Sequence, residues 1–223
     1  SRGAFHGAPI TYSKVGYPIY SFFLVDTDGL FRSQAEIDAH TKNGTLIQPN
    51  AQVGDVRYVD YNGDGEINGE DRQYKGSAFP KFEYGLRLQG DWKGIDCAIA
   101  LQGVEGNKIY NGNNQDIATV RSNINYSAAT LDSYTFNPNS NFPRLDIDDK
   151  NNNGADYSDR FLEDGSYLRI KTVQVGYTFP NSITSQISID KCRIYFAGDN
   201  LYTFTNYTGY NPDVSANALG GRG

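Results

Sequence analysis

Phe82-Glu83-Tyr84-Gly85-Leu86-Arg87-Leu88-Gln89-Gly90-Asp91-Trp92, then Lys93-Gly94, then Ile95-Asp96-Cys97-Ala98-Ile99-Ala100-Leu101-Gln102 is the stretch that decides the fold class. Successive side chains of a strand point to opposite faces. Phe82, Tyr84, Leu86, Leu88 and Trp92 therefore share one face, and Glu83, Arg87, Gln89 and Asp91 the other. After Lys93-Gly94 the alternation resumes, with Ile95, Cys97, Ile99 and Leu101 against Asp96, Ala98, Ala100 and Gln102. The pattern predicts a long antiparallel hairpin closed by a tight turn.

Downstream, residues 167 to 179 read as a strand whose Leu168 and Ile170 are out of phase with Val173, Val175, Tyr177 and Phe179. A bulge near Lys171-Thr172 restores the phase. Pro180 stops that strand, and a short polar connection runs to Asp190. Cys192, Ile194 and Phe196 then alternate with Arg193, Tyr195 and Ala197 until a loop begins at Asp199. From Gly103 to Gly165 the chain is rich in Asn, Ser, Asp and Gly and too long for an ordinary connection. Short turns thus alternate with long loops, as in an outer-membrane β-barrel, with Trp92, Tyr177 and Phe179 where an aromatic girdle belongs. A soluble sandwich or solenoid gives the same period. The length of the first arm suits a tilted membrane strand and favours the barrel.

Composition agrees with an all-β fold, with 17 Tyr, 12 Phe, 24 Gly and no Met in 223 residues. Only 38% of residues are hydrophobic and the mean hydropathy is -0.58, so no stretch can cross a bilayer as a helix, which says nothing against strands. A net charge of -6 without a basic cluster leaves no electrostatic footprint for nucleic acid. Ser1 follows no initiating Met or leader, as expected of a processed chain or an internal piece. Upstream of the hairpin, Ser33-Gln-Ala-Glu36 reads as a capping box that starts one short helix carrying Ile37, with Gly44 as its stop.

One motif carries sharp chemistry. Asp60, Asn62, Asp64, Asn68 and Asp71 occupy positions one, three, five, nine and twelve of an oxygen-rich loop, and the Glu66 carbonyl falls at seven. That spacing suits Ca2+, a hard cation that takes six or more oxygens. Gly65 sits at position six, where the chain turns sharply, and Ile67 at eight is expected to anchor the loop against apolar neighbours. Asp71 is shorter than the bidentate glutamate of a helix-loop-helix hand, and neither flank has a helical period, so a structural site rather than a sensor is expected. An Asn/Gly/Asp turn without metal is the plain alternative.

Other candidates are weaker. Asp149, Asn151, Asn153 and Asp156 around Gly154 lack a distal carboxylate and read as an Asx-rich turn. His6 and His40 lie in no zinc or triad motif, and there is no phosphate loop or nucleophile elbow, so no enzyme is expected. Glu163, Asp164, Arg169 and Lys171 suit a structural charge network better than a substrate path. Tyr110, Tyr126, Tyr134, Tyr207 and Tyr210 of the long loops are expected to be exposed, for sugar stacking or for a partner.

Four ordered stretches resemble the C-terminal part of the SusC/RagA-type TonB-linked outer-membrane receptors of Bacteroidetes. They are Val15 to Phe23 with Thr27 to Phe31 and the Ser33 helix; Gly54-Asp55-Val56-Arg57-Tyr58 into the calcium loop, then Gly76 to Gly85; Leu101 to Asn107; and Ser158 to Lys171, followed by Gly176-Tyr177, Asn200-Leu201 and Gly209 to Pro212. The resemblance implies a barrel of about 22 strands closed around a plug. It also implies energy from TonB, a SusD-like surface lipoprotein partner, outer-membrane lipid around the wall and an oligosaccharide or peptide cargo. It places the plug, the TonB-contacting segment and a final strand outside these residues.

The resulting expectation is an all-β, antiparallel transmembrane barrel segment with long extracellular loops. Residues 1–81 form a loop region with the short helix and calcium loop, and possible barrel strands; 82–102 form a barrel hairpin, 103–166 a long external loop, 167–199 strands with a periplasmic turn, and 200–223 a further external loop. Cys97 and Cys192 then lie on the lipid face of strands separated by another, about 10 Å apart and beyond disulfide reach. The rival function is a secreted, soluble, calcium-stabilised β-rich module that binds carbohydrate or protein. It requires the apolar strand faces to be covered by a core.

Overall fold

A computed structural model describes residues 2–5, 8–120 and 125–213, with backbone alone for 2–5 and 8. His6 and the tail beyond Asp213 lie outside the described residues. The chain divides into two compact units, one of residues 80–107 and 164–207, the other of the remaining segments.

The first unit is an antiparallel four-stranded sheet in the order Arg193–Thr205, Tyr167–Thr178, Ile95–Glu105, Phe82–Trp92. Trp92 pairs with Ile95 and Phe82 with Glu105, so the hairpin keeps one register throughout. Lys93 and Gly94 both have positive φ, 47° and 83°, the backbone a two-residue turn needs if the arms are to keep their right-handed twist. Lys171 stands unpaired between Ile170 and Thr172 in both of its ladders, which is the expected bulge. It brings Leu168 and Ile170 into phase with Val173, Val175 and Tyr177.

The Arg193–Thr205 strand does not end at Asp199. Asp199-Asn200 has turn chemistry, and Asn200 does take φ 52°, but the departure is local: Asp199 pairs with Thr172 and Tyr202 with Ile170. Asn200 and Leu201 thus form a second bulge opposite Lys171, after which Tyr202 and Phe204 continue the strand. Leu201 folds over Gly198, where a Cβ would meet its Cδ2 at 2.6 Å. The "short polar connection" at 181–187 is a helical turn, Asn181–Thr184 and Ser185–Ile187, with Ile183 and Ile187 exposed.

The other unit contains the sheet Arg2–Phe5, Ala8–Tyr12, Ser21–Val25, Arg72–Ser77 in that order. Ile10, Phe22 and Leu24 pack from it against Tyr110, Ala118 and Phe161. A second cluster joins Val25, Leu30, Val56, Tyr58 and Ala155. Ile37 is buried on the helix Gln34–Ala39, as expected. Only half of the capping box forms: Ser33 Oγ accepts from Glu36 N, while Glu36 Oε2 accepts from Arg32 N at 2.8 Å. Gly44 does not stop this helix. With Asn43 (φ 51°) it makes the turn of a small hairpin, Thr41–Lys42 with Thr45–Leu46, an Asn-Gly signal that outweighs the helix-stop reading.

The 103–165 stretch is not featureless. It holds the helix Gly112–Ala118, capped by Asn111 Oδ1 on Asn114 N, and an asparagine-rich segment that finishes another strand's hydrogen bonding. Val56–Tyr58 pairs on one side with Thr27–Leu30. On its other side Asn153 Oδ1 accepts from Val56 N at 2.9 Å, Asn151 Nδ2 donates to Val56 O at 2.9 Å, and Gln48 Oε1 accepts from Tyr58 N at 2.8 Å. Side-chain amides here replace a neighbouring strand. Asn153→Ala leaves the buried Val56 N–H and an Asp55 oxygen short of a partner and is expected to destabilise this unit by about 2–4 kcal/mol, read as a lower denaturant midpoint at unchanged slope.

Candidate functional site

The 60–71 loop is shaped by its own carboxylates. Asp60 accepts from Gly63 N at 2.7 Å and Gly65 N at 2.8 Å, one oxygen to each. Asp71 is fully buried and accepts from Tyr61 N at 2.9 Å and Asn68 N at 2.8 Å. It closes the loop end on end. Gly65 has φ 95°, and a Cβ there would press on Lys42 Cβ at 3.1 Å, so both backbone angle and space call for glycine. Ile67 packs on the Val56 and Tyr58 cluster as expected of an anchor.

Within this frame Asp64 Oδ2 accepts from Asn62 Nδ2 at 2.9 Å and Asn68 Nδ2 at 3.3 Å, and Asp64 Oδ1 from Glu66 N at 2.8 Å. The amide of Asn62, first, and then the Glu66 N–H hold the Asp64 carboxyl below the usual carboxylate value. Thus Asn62, Asp64 and Asn68 come together, while Asp60 and Asp71 turn to backbone N–H groups. Among the described residues no three histidine, cysteine or carboxylate side chains are placed to hold a metal. Half of the predicted set, Asn62, Asn68 and the Glu66 carbonyl, consists of amide and carbonyl oxygens, which a hard cation accepts equally.

The remaining candidates resolve into structure. Asn151 and Asn153 sit in the buried amide network, and Asp149 accepts from Asn153 N and Gly154 N, an Asx turn. His40 lies against Phe31 with ring centroids 5.4 Å apart, and burial followed by the nearby Arg57 cation lowers its pKa. Glu163 accepts from Asn111 Nδ2, Thr208 N and Thr208 Oγ1. Arg169 donates to Thr203 at 3.0 Å and Lys171 to Gln102 at 2.8 Å. Tyr110 is a core residue, its hydroxyl meeting Gln115 and Asp156, and Tyr134 is half-buried under Arg32; Tyr210 is exposed.

In the four-stranded sheet one face is apolar and uncovered. Leu88 is 56% exposed, Trp92 69% and Phe196 81%. Along this face Trp92, Tyr177 and Phe179 gather at the short-turn end, and Phe82, Tyr84, Tyr202 and Phe204 at the other. Tyr84 lies across its partner Gly103, where a Cβ would meet the ring at 2.0 Å. Eight residues separate Tyr84 from Trp92, about 26 Å along the strand. That is on the order of the apolar band of a membrane barrel. The opposite face carries Arg87, Gln89, Asp91, Asp96, Gln102, Thr172, Gln174, Arg193 and Asp199. On it Arg193 holds Asp96 with two nitrogens, Nε at 3.0 Å, passing over Gly176 of the intervening strand. Both cysteines are free, Cys97 on the apolar face between Gly90 and Val175.

No protein-family model matches the chain. Curated proteins do: a TonB-dependent receptor of Formosa agariphila is 30% identical over 210 residues, 94% of this chain and 20% of that protein. The TonB-dependent receptor SusC of Bacteroides thetaiotaomicron is 23% identical over 97% of this chain and 19% of its own length. The chain belongs with the SusC/RagA-type TonB-dependent receptors. It spans about one fifth of the length of these curated relatives. Among solved structures the RagAB peptide transporter matches with a TM-score of 0.66 at 23% identity, covering 91% of this chain and 21% of that one. The likeness fixes the fold as that of a receptor segment, although the sheets described here are not closed.

For the receptor loop, a carbon-detected titration of Asp64 is expected to give a midpoint below the ordinary carboxylate value of 3.8, and Asn62→Ala to raise it. Because the shift is downward, whatever the Asp64 hydrogen bonds contribute to loop order is present at neutral pH and lost as the pH falls through that midpoint.

Proposed function

We propose that this chain is barrel wall and external loop of an outer-membrane importer, working with TonB and a SusD-like lipoprotein to take up oligosaccharides or peptides. The observation that carries the reading is the uncovered apolar sheet face with aromatic residues at both of its ends. A soluble module would bury such a face, whereas lipid is its natural solvent. Two relatives are named receptors and a solved neighbour a peptide transporter, which supports import as the task; catalysis has no part in the reading. The test is an unheated and a heated denaturing gel of fractionated native cells, with an antibody against the 103–165 loop. A large, heat-modifiable band in the outer membrane is expected; a small soluble band near 24.7 kDa overturns the reading in favour of the secreted binding module.

Within the importer, the 60–71 loop is a structural Ca2+ site. Asp60, Asn62, Asp64, the Glu66 carbonyl, Asn68 and Asp71 are its ligands, and the ion would join carboxylates that otherwise repel one another. Support comes from the spacing, the Gly65 turn and the Ile67 anchor. Chelation or Asp64→Ala is expected to speed amide exchange at residues 55–75 while heat-modifiable migration is unchanged. Exchange insensitive to chelation, or loss of the folded barrel, counts against it.

A further inference from the structure

The 60–71 loop has a cation laid across it that comes from another part of the chain. Lys42 ends the first strand of the small hairpin, where it pairs with Thr45, and Ile47 N donates to His40 O at 3.0 Å just outside that ladder. With Asn43 and Gly44 turning the chain tightly, the hairpin fixes where the Lys42 side chain starts. Its stem then crosses the loop. A Cβ on Gly65 would stand 3.1 Å from Lys42 Cβ and 3.4 Å from Lys42 Cγ, and one on Gly63 would stand 3.5 Å from Lys42 Nζ. The ammonium therefore lies at Gly63, whose own N–H donates to Asp60 at 2.7 Å. Lys42, Asp60 and Gly63 line one open groove.

The loop contains no positive charge of its own. Asp60, Asp64, Glu66, Glu70 and Asp71 are five carboxylates between residues 60 and 71, and no Lys or Arg falls among them. The neighbouring arginines are engaged elsewhere: Arg57 bonds Asp28 at 2.7 Å, and Arg72 donates to Pro9 O and to the Tyr12 hydroxyl. Lys42 is thus the cation that the fold brings to the loop, on a stem held by its contact with Gly65. Glycine at 63 and 65 serves this approach as well as the turn, because a side chain at either place would push the lysine away.

We propose that Lys42 sets the affinity of the 60–71 loop for a divalent cation, its ammonium standing in while the ion is absent and opposing the ion when it arrives. This rests on the calcium reading of the loop and adds the residue that tunes it. At roughly 7 Å in water, a unit charge and a divalent ion repel enough to weaken binding about five- to tenfold. Salt removes most of that repulsion once the screening length falls to about 3 Å, near 1 M. Lys42 is a positioning residue in this role, since it tunes the site without joining the ligand set.

The test is calorimetric titration of Ca2+ into the full-length receptor, held in detergent and stripped of metal by chelation, at low salt and at about 1 M salt. Asp64→Ala identifies the loop's share of the binding as the component it removes. Lys42→Gln is expected to tighten that component about five- to tenfold at low salt and to match the native receptor at about 1 M. Lys42→Arg keeps the charge and is expected to bind as the native receptor does, and heat-modifiable migration verifies that each variant folds. Equal affinity of Lys42→Gln and the native receptor at low salt overturns the role of Lys42 and leaves the calcium site standing. A tightening that persists at high salt, or that Lys42→Arg shares, does the same. A titration from which Asp64→Ala removes nothing overturns the calcium reading, and the role of Lys42 falls with it.

Discussion

The unpaired backbone at the two edges of the four-stranded sheet governs what this chain can be. Phe82–Trp92 and Arg193–Thr205 are the outer strands, and each turns one row of N–H and C=O groups away from the sheet. In water such edges invite pairing, and in hydrocarbon they cannot persist without it. The apolar face adds a second constraint of the same sense, since it needs a dry neighbour along its whole length. Both are met at once by further strands of one closed wall in lipid, and a packed core would meet only the second. The opposite face is polar and carries the Asp96–Arg193 pair, which suits a side turned away from hydrocarbon.

The other unit solves its backbone problem by different means. It has short strands and many loops, so regular ladders satisfy few of its polar groups. Amide side chains fill in: Gln48, Asn151 and Asn153 behave as a substitute strand beside Val56–Tyr58. Arg144 lies 2.7 Å from the fully buried Asp55 carboxylate, which also accepts from Asn153. The 60–71 loop repeats the device with carboxylates on backbone N–H groups. Asparagine abundance in this sequence is therefore structural as much as it is a property of exposed loops.

Periodicity made the sheet legible from sequence, because strict alternation over the hairpin admits one register and one pair of faces. The Lys171 bulge was legible for the same reason, as a phase error that had to be repaired. Asp199-Asn200 misled because a bulge and a turn share residue chemistry, and only the pairing of Tyr202 with Ile170 tells them apart. The helix Gly112–Ala118 has poor helix formers and buries Gly112, Gln115 and Ala118 only, so tertiary contacts hold it and no local period announces it. In the loop at 60–71 the spacing grouped six residues, of which Asn62, Asp64 and Asn68 meet through their side chains, while Asp60 and Asp71 face backbone N–H groups, which spacing does not announce.

Two bulges at one height have a geometric consequence. Lys171 and Asn200-Leu201 lie opposite each other in adjacent strands, and a bulge increases local twist and bends its strand. Paired in this way, they make a hinge line across half of the sheet, beside the Ala100–Thr172–Asp199 row. Wall curvature there is set by a few residues rather than spread over the whole surface. Deleting Lys171 would set Ile170 next to Thr172 in unbroken alternation, so Leu168, Ile170, Val173 and Val175 would keep their shared face while the local bend was lost; the extra residue shapes the curvature of the sheet and leaves the identity of its faces to the rest of the strand.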